Sequence, residues 1–221
     1  GLKNISEVCE LASKTGIFVR LDMEDHRVTQ DTIDVVLDMH SRNIKNVGCV
    51  LQSRLFRTKE DIKELCEKLE GFADFRLCKG IYLEPSEISN TSYQSIVDSF
   101  CTDIDLALDL GAYVGIATHD TQVLDYATNS LNERNLGPSN KDTRKNSPKE
   151  RKGKGPGYEY QFLLGVRGNI RRKLAKEGHV TRVYVPYGSQ WYEYSMRRLR
   201  ENPDIAWHVF KAMIFPWSNR R

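Results

Sequence analysis

The sequence predicts an α/β chain whose strands run parallel, and two patterns predict it. Short runs of β-branched, aromatic and aliphatic residues alternate with longer stretches whose apolar residues recur every three or four positions. Several strand runs are apolar almost throughout, as strands covered on both faces must be. Strands separated by helices pair in parallel, because each crossover returns the chain to the same end of the sheet.

The elements follow in order. Gly1 to Glu10 reads as the start of a polar helix, and Ile17 to Asp22, after Gly16, as the first strand. Ile33, Val36, Leu37 and His40 share one face of a helix at spacings of three, four and seven. Val47 to Gln52 is the second strand. Thr58 then caps a helix, with Asp61 three residues on and Ile62, Leu65, Cys66 and Leu69 turned inward. Asp74 to Lys79 is the third strand and Tyr93 to Leu110 a long helix. Ala112 to Ala117 is the fourth strand, with a helix from Thr121 to Asn132. Tyr158 to Leu163 is the fifth strand, before a helix from Asn169 to Glu177. Val180 to Val185 is the sixth strand, and a further helix begins near Trp191.

Such a chain forms either a doubly wound open sheet or a βα-barrel. No G-x-G-x-x-G or G-x-x-x-x-G-K-[ST] follows a strand, which argues against a nucleotide-binding open sheet. Polar or ionisable residues instead load nearly every strand's carboxyl end: Asp22, Gln52, Lys79, Thr118-His119-Asp120 and Gln161. That rim is where barrel enzymes keep their chemistry, whereas an open sheet gathers its site at one switch point. The expected fold is therefore α/β, a (βα)8 TIM-like barrel of which about six βα units are present. A closed barrel needs eight, so either the chain is a fragment or upstream sequence supplies the missing strands. The expected organisation is one barrel domain over 1–221, with a basic loop insert at 138–157.

Composition narrows the function class. Hydrophobic residues make up 39% and charged residues 29%, the balance of a globular enzyme, and no apolar run approaches the ~20 residues that span a bilayer. The first ten residues lack a signal-peptide layout. The net charge of +3 is uneven. Seven basic residues lie between Pro138 and Gly155 against Asp142 and Glu150, a local +5 that leaves −2 for the rest. Beyond that loop the chain has no basic stripe with stacking aromatics, so a nucleic-acid partner is not expected. The loop itself, rich in Lys, Arg, Ser, Asn, Gly and Pro, reads as a solvated insert or as a contact for anionic lipid or another partner. Cys9, Cys49, Cys66, Cys78 and Cys101 are odd in number with no C-x-x-C pair, which predicts reduced thiols in a reducing compartment.

Five clusters carry candidate chemistry. Arg197 and Arg198 stand where two guanidinium forks can grip a carboxylate, with Glu201 one turn on and Tyr194 one turn before; a solvated basic helix face gives the same pattern. Tyr184 ends a strand ahead of a sharp turn, and either faces the rim or fills the core. Arg20 and Asp22 share one strand face, as an internal ion pair or as ligand contacts. Arg76, Cys78 and Lys79 crowd the third strand, where two cations call for anionic company or ordinary ion pairs. Ala117-Thr118-His119-Asp120 looks like a metal or acid–base cluster, but no second histidine follows at ligand spacing, so no metal is expected.

Taken together, these segments make the chain similar to the proline dehydrogenase family, including that domain of the bifunctional proline utilisation flavoenzymes. The likeness rests on F-V-R-L-D-M-E-D at 18–25, V-L-Q-S at 50–53, R-L-C-K-G-I-Y at 76–82 and A-T-H-D at 117–120. It continues with Y-E-Y-Q-F-L-L-G-V at 158–166, R-V-Y-V-P-Y-G at 182–188 and Y-x-x-R-R-L-x-E-N at 194–202. The resemblance implies FAD as cofactor and L-proline as substrate, oxidised to Δ1-pyrroline-5-carboxylate. It implies that Arg197 and Arg198 bind the substrate carboxylate with Glu201 in support, and that Asp22, Tyr82, Leu163, Tyr184 and Tyr194 line the pocket. It places Arg76 at flavin N5 with Cys78 beside the ring, and Gln52, Lys79, Thr118, His119, Gln161 and Arg20 around the cofactor. A tyrosine at 184 leaves little room for a 4-hydroxyl, so proline is expected over hydroxyproline. Electrons would pass to a membrane quinone. That implies a cytoplasmic protein peripheral at the inner membrane, on the matrix side in a eukaryote. The family's first two βα units, with a lysine that helps close the site, are not in this sequence. A truncated, non-catalytic barrel is the competing expectation.

Overall fold

A computed structural model of the chain describes residues 1–140, 142, 144, 146–148, 150, 157–185, 187–189 and 196. The chain divides into two compact units, Gly1–Glu159 and Tyr160–Arg221. The first runs α1 (Leu2–Lys14), β1 (Val19–Leu21), a 3-10 turn (His26–Val28), α2 (Thr29–Ser41), β2 (Val47–Gln52) and α3 (Thr58–Lys68). It continues with β3 (Asp74–Cys78), α4 (Tyr93–Asp109), β4 (Tyr113–Ala117) and α5 (Thr121–Glu133). Each strand pairs in parallel with the next, with Arg20 opposite Gly48, Val50 opposite Arg76, and Arg76 opposite Gly115.

Side chains alternate between the two faces of these strands. On one face Leu51, Phe75, Leu77, Val114 and Ile116 are at most 1% exposed and meet the helices. Helix α5 answers with Val123, Ala127 and Leu131 at four-residue spacing, all fully buried. Each buried Val, Leu, Ile or Phe here contributes roughly 1.5–3 kcal/mol by leaving water. The other face is polar, carrying Arg20, Asp22, Gln52, Asp74, Arg76 and Cys78 in aligned rows. Helices α4 and α5 start under side-chain caps: the Ser95 N–H donates to Ser92 Oγ and the Gln122 N–H to Asp120 Oδ1.

Two local expectations are corrected. The first strand covers three residues, not six, because Ile17 closes the end of α1: its N–H donates to the Ala12 carbonyl at 2.8 Å, past Gly16 at φ +71°. Thr58 does not cap α3. Its buried hydroxyl donates to the Gln52 carbonyl at 2.6 Å, and Asp61 is held instead by the Arg57 guanidinium. All five cysteines are free thiols, and burial pushes Cys49 and Cys66 up to about 12.

Part of the basic loop is docked: Arg144, Asn146 and Glu150 meet the body of the first unit, while Ser139 and Asn140 are exposed. The Arg144 guanidinium lies 4.7 Å over the Tyr113 ring, gripped by Asp142, with its side chain 4% exposed. The Asn146 amide donates to the Glu70 carbonyl, and Glu150, buried, accepts from Ser13 on α1. Charge counting did not reveal this, because a basic residue beside an acidic one two positions away loses its need for water once the pair can stack.

Strand β5 (Tyr158–Leu163) begins in the first unit, where the Val114 N–H donates to the Gly157 carbonyl, and continues into the second. There it pairs in parallel with β6 (Thr181–Tyr184), Gln161 opposite Arg182 and Leu163 opposite Tyr184. Helix α6 (Gly168–Lys176) makes the crossover, and its one buried residue, Leu174, is followed by His179 edge-on to Tyr160. The helix expected near Trp191 falls outside the described residues, apart from Met196.

Candidate active site

Parallel strands deliver their carboxyl ends to one rim, so the polar row that ends β1, β2, β3 and β4 in the first unit forms the candidate site. Asp22, just past β1, accepts from the Arg76 guanidinium of β3 at 3.0 Å. The strand between them presents Val50, opposite Arg76, too short to interfere. Arg76 is 16% exposed and Asp22 58%, so the pair sits with its carboxylate toward solvent.

One row nearer the rim, Gln52 is opposite Cys78 and buried. Its amide donates to the Glu24 carbonyl at 2.7 Å. Gly80 presses against it at φ +90°, where a Cβ would come within 2.7 Å of Gln52 Oε1, so this turn favours glycine. Two residues on, the Tyr82 hydroxyl donates to the Glu24 carboxylate and the Tyr82 carbonyl accepts from Arg54. The Cys78 thiol points at the Leu51 carbonyl at 3.7 Å.

Lys79, the residue just past β3, follows Cys78 on the opposite side from Arg76 and forms an ion pair with Asp120. Its ammonium rides 4.3 Å over the Tyr93 ring, and the Tyr93 hydroxyl donates to the same carboxylate. Burial pushes the Asp120 carboxyl up, but the Lys79 and Tyr93 hydrogen bonds outweigh it and hold the group below its ordinary value. The same bond pushes the Tyr93 hydroxyl up and keeps it protonated. Thr118, buried, accepts from the Asp120 N–H, so Thr118-His119-Asp120 is a turn that both caps α5 and anchors Lys79. His119 is half-buried beside it.

Arg20 lies one row deeper and takes the ion-pair alternative, with a partner other than Asp22. Its guanidinium crosses over Gly48 to the Asp74 carboxylate and to the carbonyls of Asp74 and Cys49, at 2.6 and 3.0 Å. In the second unit Gln161 and Leu163 of β5 share a face with Tyr184 of β6, Gln161 buried and the other two half-buried. Tyr194, Arg197, Arg198 and Glu201 lie outside the described residues. Sequence reading missed Glu84 and Tyr93. Glu84, 2% exposed, takes both the imidazole and the backbone N–H of His26. Neither residue belongs to a repeat or a strand end; their role appears only when the loops close.

The proline dehydrogenase family model matches residues 3–209. The chain belongs to the proline dehydrogenase family. Among curated relatives, proline dehydrogenase 2 of Bacillus subtilis (strain 168) is 34% identical over 211 residues, covering 96% of this chain and 63% of the relative. The proline dehydrogenase of Deinococcus radiodurans is 31% identical over 219 residues, covering 97% and 63%. The chain thus spans about 63% of the length of these family members. Proline utilization A from Bdellovibrio bacteriovorus, inactivated by N-propargylglycine, aligns with a TM-score of 0.72 at 21% identity over 85% of this chain and 20% of that one. A mutant of Bradyrhizobium japonicum proline utilization A aligns with a TM-score of 0.74 at 17% identity over 90% and 21%. At those identities the likeness shows the fold alone, which is the expected α/β fold of the βα-barrel class.

Proposed function

We propose that this chain carries the catalytic domain of an FAD-dependent enzyme that oxidises L-proline to Δ1-pyrroline-5-carboxylate. The observation that carries the reading is the gathering of Asp22, Gln52, Arg76, Lys79 and Thr118 at one strand-end rim, in a chain of the proline dehydrogenase family. Two cations, an amide, a hydroxyl and the neighbouring His119 imidazole make a donor-rich set. Such a set suits a group that carries phosphates and ring carbonyls. The residues to hold FAD are then Arg76, Cys78, Lys79, Gln52, Thr118, His119 and Gln161. Arg20 supports them from below, through Asp74, without reaching the rim. Bound there, FAD supplies the two-electron acceptor.

The substrate side belongs to Asp22, Tyr82, Leu163, Tyr184, Tyr194, Arg197, Arg198 and Glu201. Arg197 and Arg198 clamp the carboxylate in a fork geometry that lysine does not reproduce, and Glu201 orients Arg197. Clamping sets the reacting carbon in place without a strong base, since proline has only to bind as the neutral amine. Tyr184 packs on the ring and disfavours a 4-hydroxyl. Electrons then leave to a membrane quinone, with the protein in the cytoplasm, peripheral at the inner membrane (the matrix side in a eukaryote). Among the described residues no helix is long and apolar enough to cross a bilayer.

The test is turnover of L-proline by the FAD-loaded protein and by Arg198→Ala. Loss of a charge-assisted clamp costs about 3 kcal/mol, so kcat/KM should fall roughly a hundredfold with bound flavin retained. Native turnover in Arg198→Ala would overturn the substrate assignment.

A further inference from the structure

The loops that leave β1 and β3 are joined by a ladder that the proposed function leaves unused. Tyr82 donates through its hydroxyl to the Glu24 carboxylate, and two residues further along each loop the Glu84 carboxylate takes His26. On either side of Tyr82, Ile81 and Leu83 turn outward, 50% and 97% exposed, so this stretch alternates as an extended strand does. Both ends of the upper rung are anchored in the backbone. Buried Gln52 holds the Glu24 carbonyl at 2.7 Å, and Arg54 holds the Tyr82 carbonyl.

With both backbones fixed, the Tyr82 ring keeps its side-chain torsions, and the bond to Glu24 restrains those. A freely rotating ring makes a poor wall for a small substrate, because ordering it on binding costs affinity. We propose that Glu24 is a positioning residue of the proline pocket, holding the Tyr82 ring against the rim before substrate arrives. The inference rests on the proline reading given above. Glu24 is exposed and supports no core, so its replacement should leave the fold intact.

The experiment is steady-state kinetics of the FAD-loaded protein with Glu24→Ala, Glu24→Gln and Tyr82→Phe. A net hydrogen bond of 0.5–1.5 kcal/mol predicts that Glu24→Ala raises KM for proline about two- to twelvefold, with kcat within about twofold. Flavin uptake should be unchanged. Glu24→Gln, whose amide oxygen still accepts from the hydroxyl, should stay close to the native KM. Tyr82→Phe should match Glu24→Ala, and the double variant should add nothing further. A native KM in Glu24→Ala, or an equal loss in Glu24→Gln, overturns the inference while the functional reading stands. A native protein that carries flavin but is inert toward proline overturns both.

Discussion

Asp103 lies on α4 with 1% of its surface exposed, and burial pushes its carboxyl up to about 6, against the opposing pull of the Ser53 hydroxyl and the Lys59 charge. Its folded value exceeds its unfolded one, so the folded chain binds this proton more tightly. The group therefore costs nothing well below pH 4, and its cost grows as pH rises through 4 to 6. Asp103→Asn removes that cost, and should be the more stable protein at pH 7.5 by about 3 kcal/mol, with the gap narrowed to about 0.5 kcal/mol at pH 4. Urea unfolding at the two pH values measures it, and a gap that does not change with pH would refute the assignment. Asp120 shows the reverse balance, because two donors there outweigh burial. The sequence placed Asp120 in a polar cluster at the end of β4, but nothing in a single sequence distinguishes the two aspartates. The sign of each shift is set by partners that arrive from other elements.

The row formed by Arg20, Gly48 and Asp74 shows what an element needs from its neighbours. The guanidinium passes over β2 only because Gly48 has no side chain. A Cβ there would overlap the Asp74 carbonyl oxygen and come within 2.8 Å of Arg20 Nη1. Gly48→Ala should therefore part the ladder between β2 and β3 and cost about 3 kcal/mol, a fall of roughly 10 °C in Tm by calorimetry. An unchanged Tm would mean that the row tolerates a methyl group. Strands β2 and β5 were legible to the residue, since both are long buried runs bounded by turn residues. Strand β1 was over-read because Ile17 looks like a strand residue but serves as the helix stop. Thr58 has the spacing of a cap, and the Gln52 carbonyl drew its hydroxyl away. In both cases a tertiary contact overrode a sound local signal.

Across the molecule, the rim was legible as a set of strand ends but its pairings were not. Asp22 meets Arg76 from 54 residues away, Glu24 meets Tyr82 from 58 and Lys79 meets Asp120 from 41. Periodicity reports which face a residue occupies, and it carries no register between distant strands. The fold class was readable because it depends only on alternation. The ion pairs depend on which rows align, and that is decided by packing. The docking of Arg144 belongs to the same category, since it finds Tyr113 from 31 positions away. The central claim is that this rim holds FAD and passes it electrons from proline. The most direct test is the visible absorbance spectrum of the FAD-incubated, desalted protein before and after anaerobic L-proline. A flavin band that is retained and bleaches with proline is the predicted result. A protein that keeps no flavin, or whose band does not change on adding proline, would contradict the account.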